Sequence, residues 1–332
     1  MPTSLPITDA KLLLIFGADR EDQFRTKHGR TKLSGSSDLF ELIGPSHPHH
    51  RLQITRQFLR QKRRPNFAPY RHILNLITEP EHNDGVLNNL RKLLRGVSGK
   101  VINHPEAVLR STRDQTAKRL SDIPGLVAPK VVRLRTAKPR AVNESLDRAS
   151  MEFPLILRET GTHLGTTQNR FDDPGQMLAA MADGIEYFAT EFVDYRSADG
   201  LFRKYRVFFI GRHTIFRHQL FSDSWNVHGK DRDRFMVGRS DLIDEERELF
   251  TKPEGAFPPE IGKVLAAVRQ RVDLDFFGID FGIMPDGRML LFEANATMNF
   301  FSTLPNDQFA YVRACVPPAR AAFRELVIGD EM

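Results

Sequence analysis

Residues 276–300 read FFGIDFGIMPDGRMLLFEANATMNF, two apolar runs on either side of a short polar break. Phe277 to Ile283 and Met289 to Phe292 are expected to form a hairpin joined by Pro285-Asp286-Gly287. Proline supplies a fixed φ there, aspartate a local acceptor, and glycine the positive φ of a tight reversal. Asp280 then lies inside the first strand between Ile279 and Phe281, where a lone carboxylate is costly to desolvate. Glu293 and Asn295 end the second strand two residues apart, and so project from one face of an extended chain. Pairing around the turn brings Asp280 close to Glu293. From these residues alone two readings stay open. The carboxylates and the amide oxygen converge as a hard-oxygen site for Mg²⁺ and phosphate oxygens, or the carboxylates pair with arginines.

Outward from the hairpin, the pattern is one of alternating short strands and helices. Pro259 to Val272 carries Ile261, Val264, Leu265 and Val268 on one helical face, and Tyr205 to Ile210 with His213 to Leu220 reads as a second hairpin turning at Gly211-Arg212. Between them, residues 222–256 are polar and read as loop-rich. Val131-Val132, Phe153 to Arg158 and Tyr187 to Val193 suit strands, with a helical stretch around Gln176 to Asp183. Nearer the N-terminus, KLLLIF (11–16) and HILNLIT (72–78) suit buried strands. Val86, Leu87, Leu90, Leu93 and Leu94 recur at helical spacing, and Lys100 to Ile102 is a brief strand. Strand, helix and strand in that order form a right-handed crossover, so this lobe is expected to hold a small parallel sheet. Glu106 to Leu120 reads as one helix. Residues 17–50 have no assignable regular structure, and His47, His49 and His50 read as a solvated loop rather than a metal site, because no carboxylate recurs at ligand spacing.

Composition bounds the function without choosing it. The chain has 332 residues, long enough to require two or three lobes. No run approaches the roughly 20 apolar residues that span a bilayer, and Met1 to Asp9 lacks the basic start and apolar stretch of a signal peptide. The single cysteine, Cys315, excludes an intrachain disulfide and a thiolate metal cluster, and a reducing cytoplasm is the expected setting. The net charge of +6 suits anionic substrates. The basic run RQFLRQKRR (56–64) lacks interleaved stacking aromatics and reads as a solvated face, so nucleic acid is not the expected partner. Twenty-five phenylalanines against five tyrosines mark a Phe-filled core.

Several segments together resemble the ATP-grasp superfamily, in its glutathione-synthetase-like and ribosomal-protein glutamate ligase-like branch. The resemblance runs from about Ile73 to Asn299. In FPLILRETGTHLGTT (153–167), Arg158 stands where the family has lysine, Gly161 and Gly165 allow close backbone approach to phosphate, and Thr162 and Thr166 supply hydroxyls. YFATEFVDY (187–195) resembles the segment that reads the adenine edge, carried by Glu191, Phe192 and Val193. FRKYRVFFIG (202–211) resembles the family strand with Asp-Ile-Arg. Arg206 matches its arginine, and Lys204 stands in place of the acidic ribose contact. Arg217 stands where the family sets a cation over the transferring phosphoryl group. Ser224 to Gly229 retains Asn226 and His228 of an Arg-Ser-Asn-Leu-His segment, with Ser224 replacing the arginine. Lys130, at a strand start, is either a second phosphate contact or an exposed strand-end lysine.

The resemblance implies an α/β chain with α+β lobes. Residues 1–108 form a small parallel-sheet lobe, 109–195 a linker helix and central lobe, and 196–332 a C-terminal lobe, with ATP sandwiched between the last two. It implies Mg²⁺ or Mn²⁺ on Asp280, Glu293 and Asn295, and ATP held by Arg158, Gly161, Thr162, Gly165, Glu191, Phe192, Val193, Lys204, Asn226 and Lys130. Arg206 and Arg217 stabilise phosphate or the developing acyl oxyanion. The implied reaction joins a carboxylate to an amine through an acyl phosphate, on small-molecule, amino-acid or peptide substrates. A homodimer is compatible with it. The alternatives are a kinase acting on a hydroxyl and a non-catalytic nucleotide-binding module. His163 and His228 are the histidines that could serve as a general base.

Overall fold

The computed structural model describes residues 11–20, 24–27, 30–33, 39, 42, 47–60, 65–162, 168–251, 257–298, 300 and 307–328. At the N-terminal end these form β1 (Leu12–Gly17), β2 (Phe24–Lys27), β3 (Arg30–Leu33), β4 (His49–Ile54), α1 (Arg56–Arg60), β5 (His72–Asn75), α2 (Pro80–Leu93), β6 (Lys100–Ile102) and α3 (Pro105–Leu109). Strands β4-β1-β5-β6 make a four-stranded sheet in which every neighbouring pair is parallel. The expected crossover is β5-α2-β6. A parallel sheet is covered on both faces, which is why β1 and β5 are apolar runs without alternation. Helix α2 begins with Pro80, where the missing N–H costs nothing, and its Val86, Leu87 and Leu90 pack on the sheet.

Two expectations for this lobe need correction. His49 and His50 belong to a strand, β4, and not to a solvated loop. Their Nδ1 atoms lie 2.9 Å from the His47 carbonyl and 2.9 Å from the Tyr70 hydroxyl, respectively. The single helix expected over 106–120 is two helices. Thr112 takes an extended backbone with ψ 154° and starts α4 (Arg113–Leu120), while the Ser111 N–H and hydroxyl both donate to the Val108 carbonyl near the end of α3. The break re-aims Arg113.

The chain continues through β7 (Leu126–Val127), β8 (Val131–Leu134), α5 (Pro139–Arg148), β9 (Leu155–Glu159), β10 (Gln168–Phe171), α6 (Pro174–Ala179) and β11 (Tyr187–Glu191). Strands β10-β9-β11-β8 form an antiparallel sheet. Val142 and Leu146 of α5 and Met177 of α6 pack against Leu155, Leu157 and Ala189 on one of its faces, leaving the other to line a cleft.

The third sheet has the order β13-β12-β14-β15-β7 and is built from β12 (Phe202–Ile210), β13 (His213–Ser222), β14 (Phe276–Ile283) and β15 (Met289–Asn295). Three helices surround it: α7 (Ser240–Thr251), α8 (Pro259–Arg271) and α9 (Val316–Ile328). Helix α7 falls in the segment expected to be loop. Side chains of β14 alternate cleanly: Phe277, Ile279 and Phe281 pack with Ile261, Val264, Leu265 and Val268 of α8. The opposite face carries Gly278, Asp280 and Gly282. A Cβ at Gly278 would lie 2.7 Å from Met298 Sδ, and one at Gly282 2.7 Å from Tyr195 Cδ2, so Asp280 alone rises from this stretch of the face. The β14–β15 turn is closed as expected, with the Gly287 N–H donating to the Met284 carbonyl over 2.9 Å and Gly287 at φ 84°. Among the described residues, no helix is long and apolar enough to cross a membrane.

Candidate active site

The free face of the central sheet and the Asp280 face of the C-terminal sheet enclose a cavity of about 600 Å³, ample for a nucleotide-sized ligand. Ile156, Phe192, Val193, Leu220 and Leu290 provide apolar wall. Trp225 meets Phe192 edge-on at 5.7 Å and is fixed by the Tyr195 hydroxyl, which donates to its carbonyl over 2.8 Å. Six cationic side chains (Arg113, Arg158, Lys204, Arg206, Lys230 and Arg232) against four acidic ones give the lining a net positive field suited to a polyanion.

The floor is set by strand register. His218 on β13 is paired with Arg206 on β12, Arg206 with Asp280 on β14, and Asp280 with Glu293 on β15. Cross-strand partners share a face, so these residues form one row of ionisable groups across the sheet. A register shift adjoins the row at each end, between Arg206 and Val207 and between Asp280 and Phe281. Such bulges break alternation and re-aim side chains.

Arg206 grips Asp280 in a two-pronged ion pair, Nε–Oδ1 2.5 Å and Nη2–Oδ2 2.7 Å, and Lys204 Nζ approaches Oδ2 at 3.4 Å. Burial works against the Arg206 charge, but Asp280 more than offsets it and holds the guanidinium above its ordinary range. Glu293 accepts from Arg113 Nη2, while Arg113 Nη1 donates to the Phe292 carbonyl over 2.6 Å. Arg158 Nη1 lies 3.9 Å from Glu293 Oε2, and its Nη2 donates to the Thr162 carbonyl. Burial and the nearby Arg113 push Arg158 down to about 10, so it stays cationic at neutral pH. Asn295 pairs with Gly278 in the ladder, accepts from the Thr297 N–H over 2.9 Å, and borders a smaller adjoining cavity that shares Glu293, Arg113 and Arg158 with the larger one.

Other expected residues fall around this floor. Glu191, Phe192 and Val193 line the cavity at the end of β11. Glu191 is tied to Lys130 by the Lys130 N–H (3.0 Å) and ammonium (3.2 Å). Lys130 is outside the cavity lining and also donates to the Ser150 carbonyl over 2.9 Å, so its side chain braces a strand start. Asn226 accepts from Gln168 Nε2 at 2.5 Å, a link from β10 of the central sheet to the loop that follows β13. Gly161 has φ 70°, and its carbonyl lies 3.0 Å from His82 Nε2 of α2. Gly165, Thr166 and His163 lie outside the described residues.

Arg217 is not brought to the cavity. It is the extra residue of the β12–β13 bulge, buried, with Nε donating to the Phe300 carbonyl over 2.6 Å. The wall position expected for it is held by His218. Sequence alternation gave no sign of this, since the bulge shifts the phase by one residue. Arg113 was likewise missed as a site residue, because its approach to Glu293 depends on the helix break at 110–112.

Whether a divalent cation suits this floor depends on the donors. Asp280, Glu293 and Asn295 offer only oxygen, and carboxylate oxygens engaged by one arginine keep lone pairs for a second partner. Among the described residues, no group of three His, Cys, Asp or Glu side chains gathers into a protein-only cage. Two carboxylates and an amide oxygen are a donor set that suits Mg²⁺, which commonly takes one or two carboxylates together with substrate phosphates.

No protein-family model matches the chain. No curated protein matches it either. Solved structures do. The VanG D-Ala:D-Ser ligase from Enterococcus faecalis superposes with a TM-score of 0.56 at 14% identity, over 97% of this chain and 99% of that one. The RimK domain ATP-grasp protein from Sphaerobacter thermophilus gives 0.52 at 13%, over 96% and 100%. The D-alanine–D-alanine ligase from Coxiella burnetii gives 0.52 at 12%, over 96% and 95%. The class defined by this architecture is the ATP-grasp fold, and the chain has that fold over nearly its whole length.

Proposed function

We infer that the chain is an ATP-dependent carboxylate–amine ligase. The observation that carries this reading is the row Arg206–Asp280–Glu293 on the floor of a cation-rich cavity with an apolar wall. Adenine would lie against Phe192 and Val193 at the end of β11, and the phosphates over Arg158, Lys204 and Arg206. Asp280, Glu293 and Asn295 would hold Mg²⁺, which when bound neutralises charge on the β- and γ-phosphates. The lobes 109–195 and 196–332 would sandwich the nucleotide, with the small parallel-sheet lobe 1–108 beside them.

A carboxylate is a poor electrophile because its leaving group would be oxide. In the proposed reaction a carboxylate oxygen attacks the γ-phosphorus, the bond to the bridging oxygen breaks, and ADP departs with the electron pair. The resulting acyl phosphate has phosphate as its leaving group. The amine then attacks the acyl carbon, an amide C–N bond forms, and phosphate leaves. Arg206, Lys204 and Arg158 serve by position and charge, which is most of what phosphoryl transfer asks of a protein. Ligase and macrocyclase names among fold neighbours, one of them solved with ADP and with leader and core peptides, support amino-acid or peptide substrates.

The test is ADP release over pools of acids and amines, with and without hydroxylamine. A ligase yields a hydroxamate that depends on the acid. A phosphorylated product indifferent to hydroxylamine would replace this reading with a kinase.

A further inference from the structure

Trp225 is the only tryptophan in the chain, and it stands on the wall of the large cavity. It rests against the apolar cluster that contains Leu220 and Val227, yet stays partly exposed. Two bonds fix the segment that carries it: the Tyr195 hydroxyl donates to its carbonyl over 2.8 Å, and the adjacent Asn226 accepts from Gln168 of β10. Its ring stands at 84° to that of Phe192, with centroids 5.7 Å apart. In a perpendicular pair one ring presents an edge, so Phe192 covers at most one face of Trp225. Phe192 itself is backed by Arg170, whose guanidinium carbon lies 4.3 Å from the ring centroid. The apolar end of the cavity thus offers a fixed indole surface to a flat ring.

The neighbouring segment decides how such a ring is held. Of the backbone N–H groups of residues 191–193, that of Glu191 donates to the Lys130 carbonyl and that of Phe192 to the Pro154 carbonyl, each over 3.1 Å. The two oxygens of the Glu191 carboxylate are engaged by the Lys130 N–H at 3.0 Å and its ammonium at 3.2 Å. The Val193 N–H has no partner among the described residues and is left to meet the edge of a base. One donor does not choose between purines. Adenine presents its N1 acceptor beside the N6 donor, and guanine its O6 acceptor beside the N1 donor. Every base, by contrast, has a face on which an aromatic side chain can stack.

Resting on the ligase reading, we propose that Trp225 is a substrate-contacting residue that stacks on the nucleobase, and that the site grips a purine by its face and chooses weakly between adenine and guanine. Loss of a stacking aromatic lowers affinity about fivefold to a hundredfold. A single neutral hydrogen bond gained or lost shifts it about tenfold at most.

The test uses the full chain, Mg complexes of non-hydrolysable ATP and GTP analogues, and inorganic triphosphate as a probe without a base. Both nucleotides should change the fluorescence of Trp225, with affinities within about tenfold of each other, while triphosphate should leave the emission in place. By calorimetry, Trp225→Ala should weaken both nucleotides about fivefold or more and leave triphosphate unaffected. Trp225→Phe, which keeps an aromatic face, should recover most of the loss. Unmoved emission at calorimetric saturation, a larger gap between the two nucleotides, or a parallel loss for triphosphate would overturn the proposal. If the wild-type chain binds neither nucleotide, the ligase reading fails and this inference with it. If a nucleotide binds and only the Trp225 or base-selectivity arms fail, the ligase reading stands alone. The fluorescence and selectivity comparisons need only wild-type protein, so a variant that folds poorly leaves the question answerable.

Discussion

Asp280 and Glu293 face each other across β14 and β15, yet each is answered by a different arginine, Arg206 from the neighbouring strand and Arg113 from the start of α4. Like charges set opposite one another in a ladder repel. Here each is neutralised from its own side, so the two carboxylates can stand together on the cavity floor.

Asp280→Asn tests the first of these pairs. The substitution leaves Arg206 without its carboxylate in a largely buried position, and removing one partner of a buried ion pair costs about 3–5 kcal/mol. Urea denaturation should register a loss within that range, because Lys204 loses its 3.4 Å partner at the same time and is left beside an unneutralised Arg206. A change below about 1 kcal/mol would mean that solvent reaches Arg206 freely.

Glu293→Gln tests the metal assignment. It keeps shape and removes one charge, so Mg-dependent binding of ATP should fall about tenfold or more, while metal-free ATP should bind equally well or better. Titration calorimetry with and without Mg²⁺ separates the two. Parallel losses in both would point to a purely structural role.

Gly161→Ala should be destabilising for two separable reasons. The backbone is at φ 70°, and the new Cβ would sit 2.2 Å from His82 Nε2. The left-handed backbone costs a non-glycine residue roughly 1–2 kcal/mol, with the clash added. Combining it with His82→Ala should recover the clash and leave the backbone cost, as read from thermal or urea midpoints. Full recovery would show that the backbone relaxes at no cost.

The pH dependence of stability should carry the signature of His218. Burial, then the charges of Arg206, Arg217, Arg232 and Lys204, hold its ring well below the ordinary histidine value of 6.5. Between that depressed value and 6.5 the unfolded chain binds more protons than the native one, so stability rises with pH across this window and is lost as pH falls through it. The slope from one such group reaches at most about 1.4 kcal/mol per pH unit. His228 is shifted the same way, by burial first and then Lys204. Urea titrations at several pH values should therefore show a shallower slope in His218→Gln, not a flat one. An unchanged slope would mean that His218 titrates normally.

How much of this could be read in the sequence depends on where the determining forces lie. The β14–β15 hairpin was legible because its turn chemistry and strand alternation are local, and the β5-α2-β6 crossover because its apolar spacing is local too. Helix α7 was not. One of its buried positions is Glu246, which accepts from Arg232 across 14 residues and from the Tyr311 hydroxyl, so its periodicity is partly ionic. Strand β4 was missed because its HHRLQI has little apolar alternation, and β1 alongside supplies the pairing. At the site, Asp280, Glu293 and Arg206 could be found by pattern. Choosing between Arg217 and His218 required the β12–β13 register, which a single inserted residue reverses.

Strand β7 is only two residues long, but Leu126 and Val127 run parallel to Met289 and Leu290 along the outer side of β15. The segment between α4 and β8 is thus stitched to the C-terminal sheet. An excised fragment beginning at residue 196 would leave the backbone of β15 bare along the strand that carries Glu293 and Asn295. A bare apolar strand recruits other chains by adding them to its sheet. Severed from the 126–127 segment, this half of the molecule would be prone to self-association before it could bind any nucleotide.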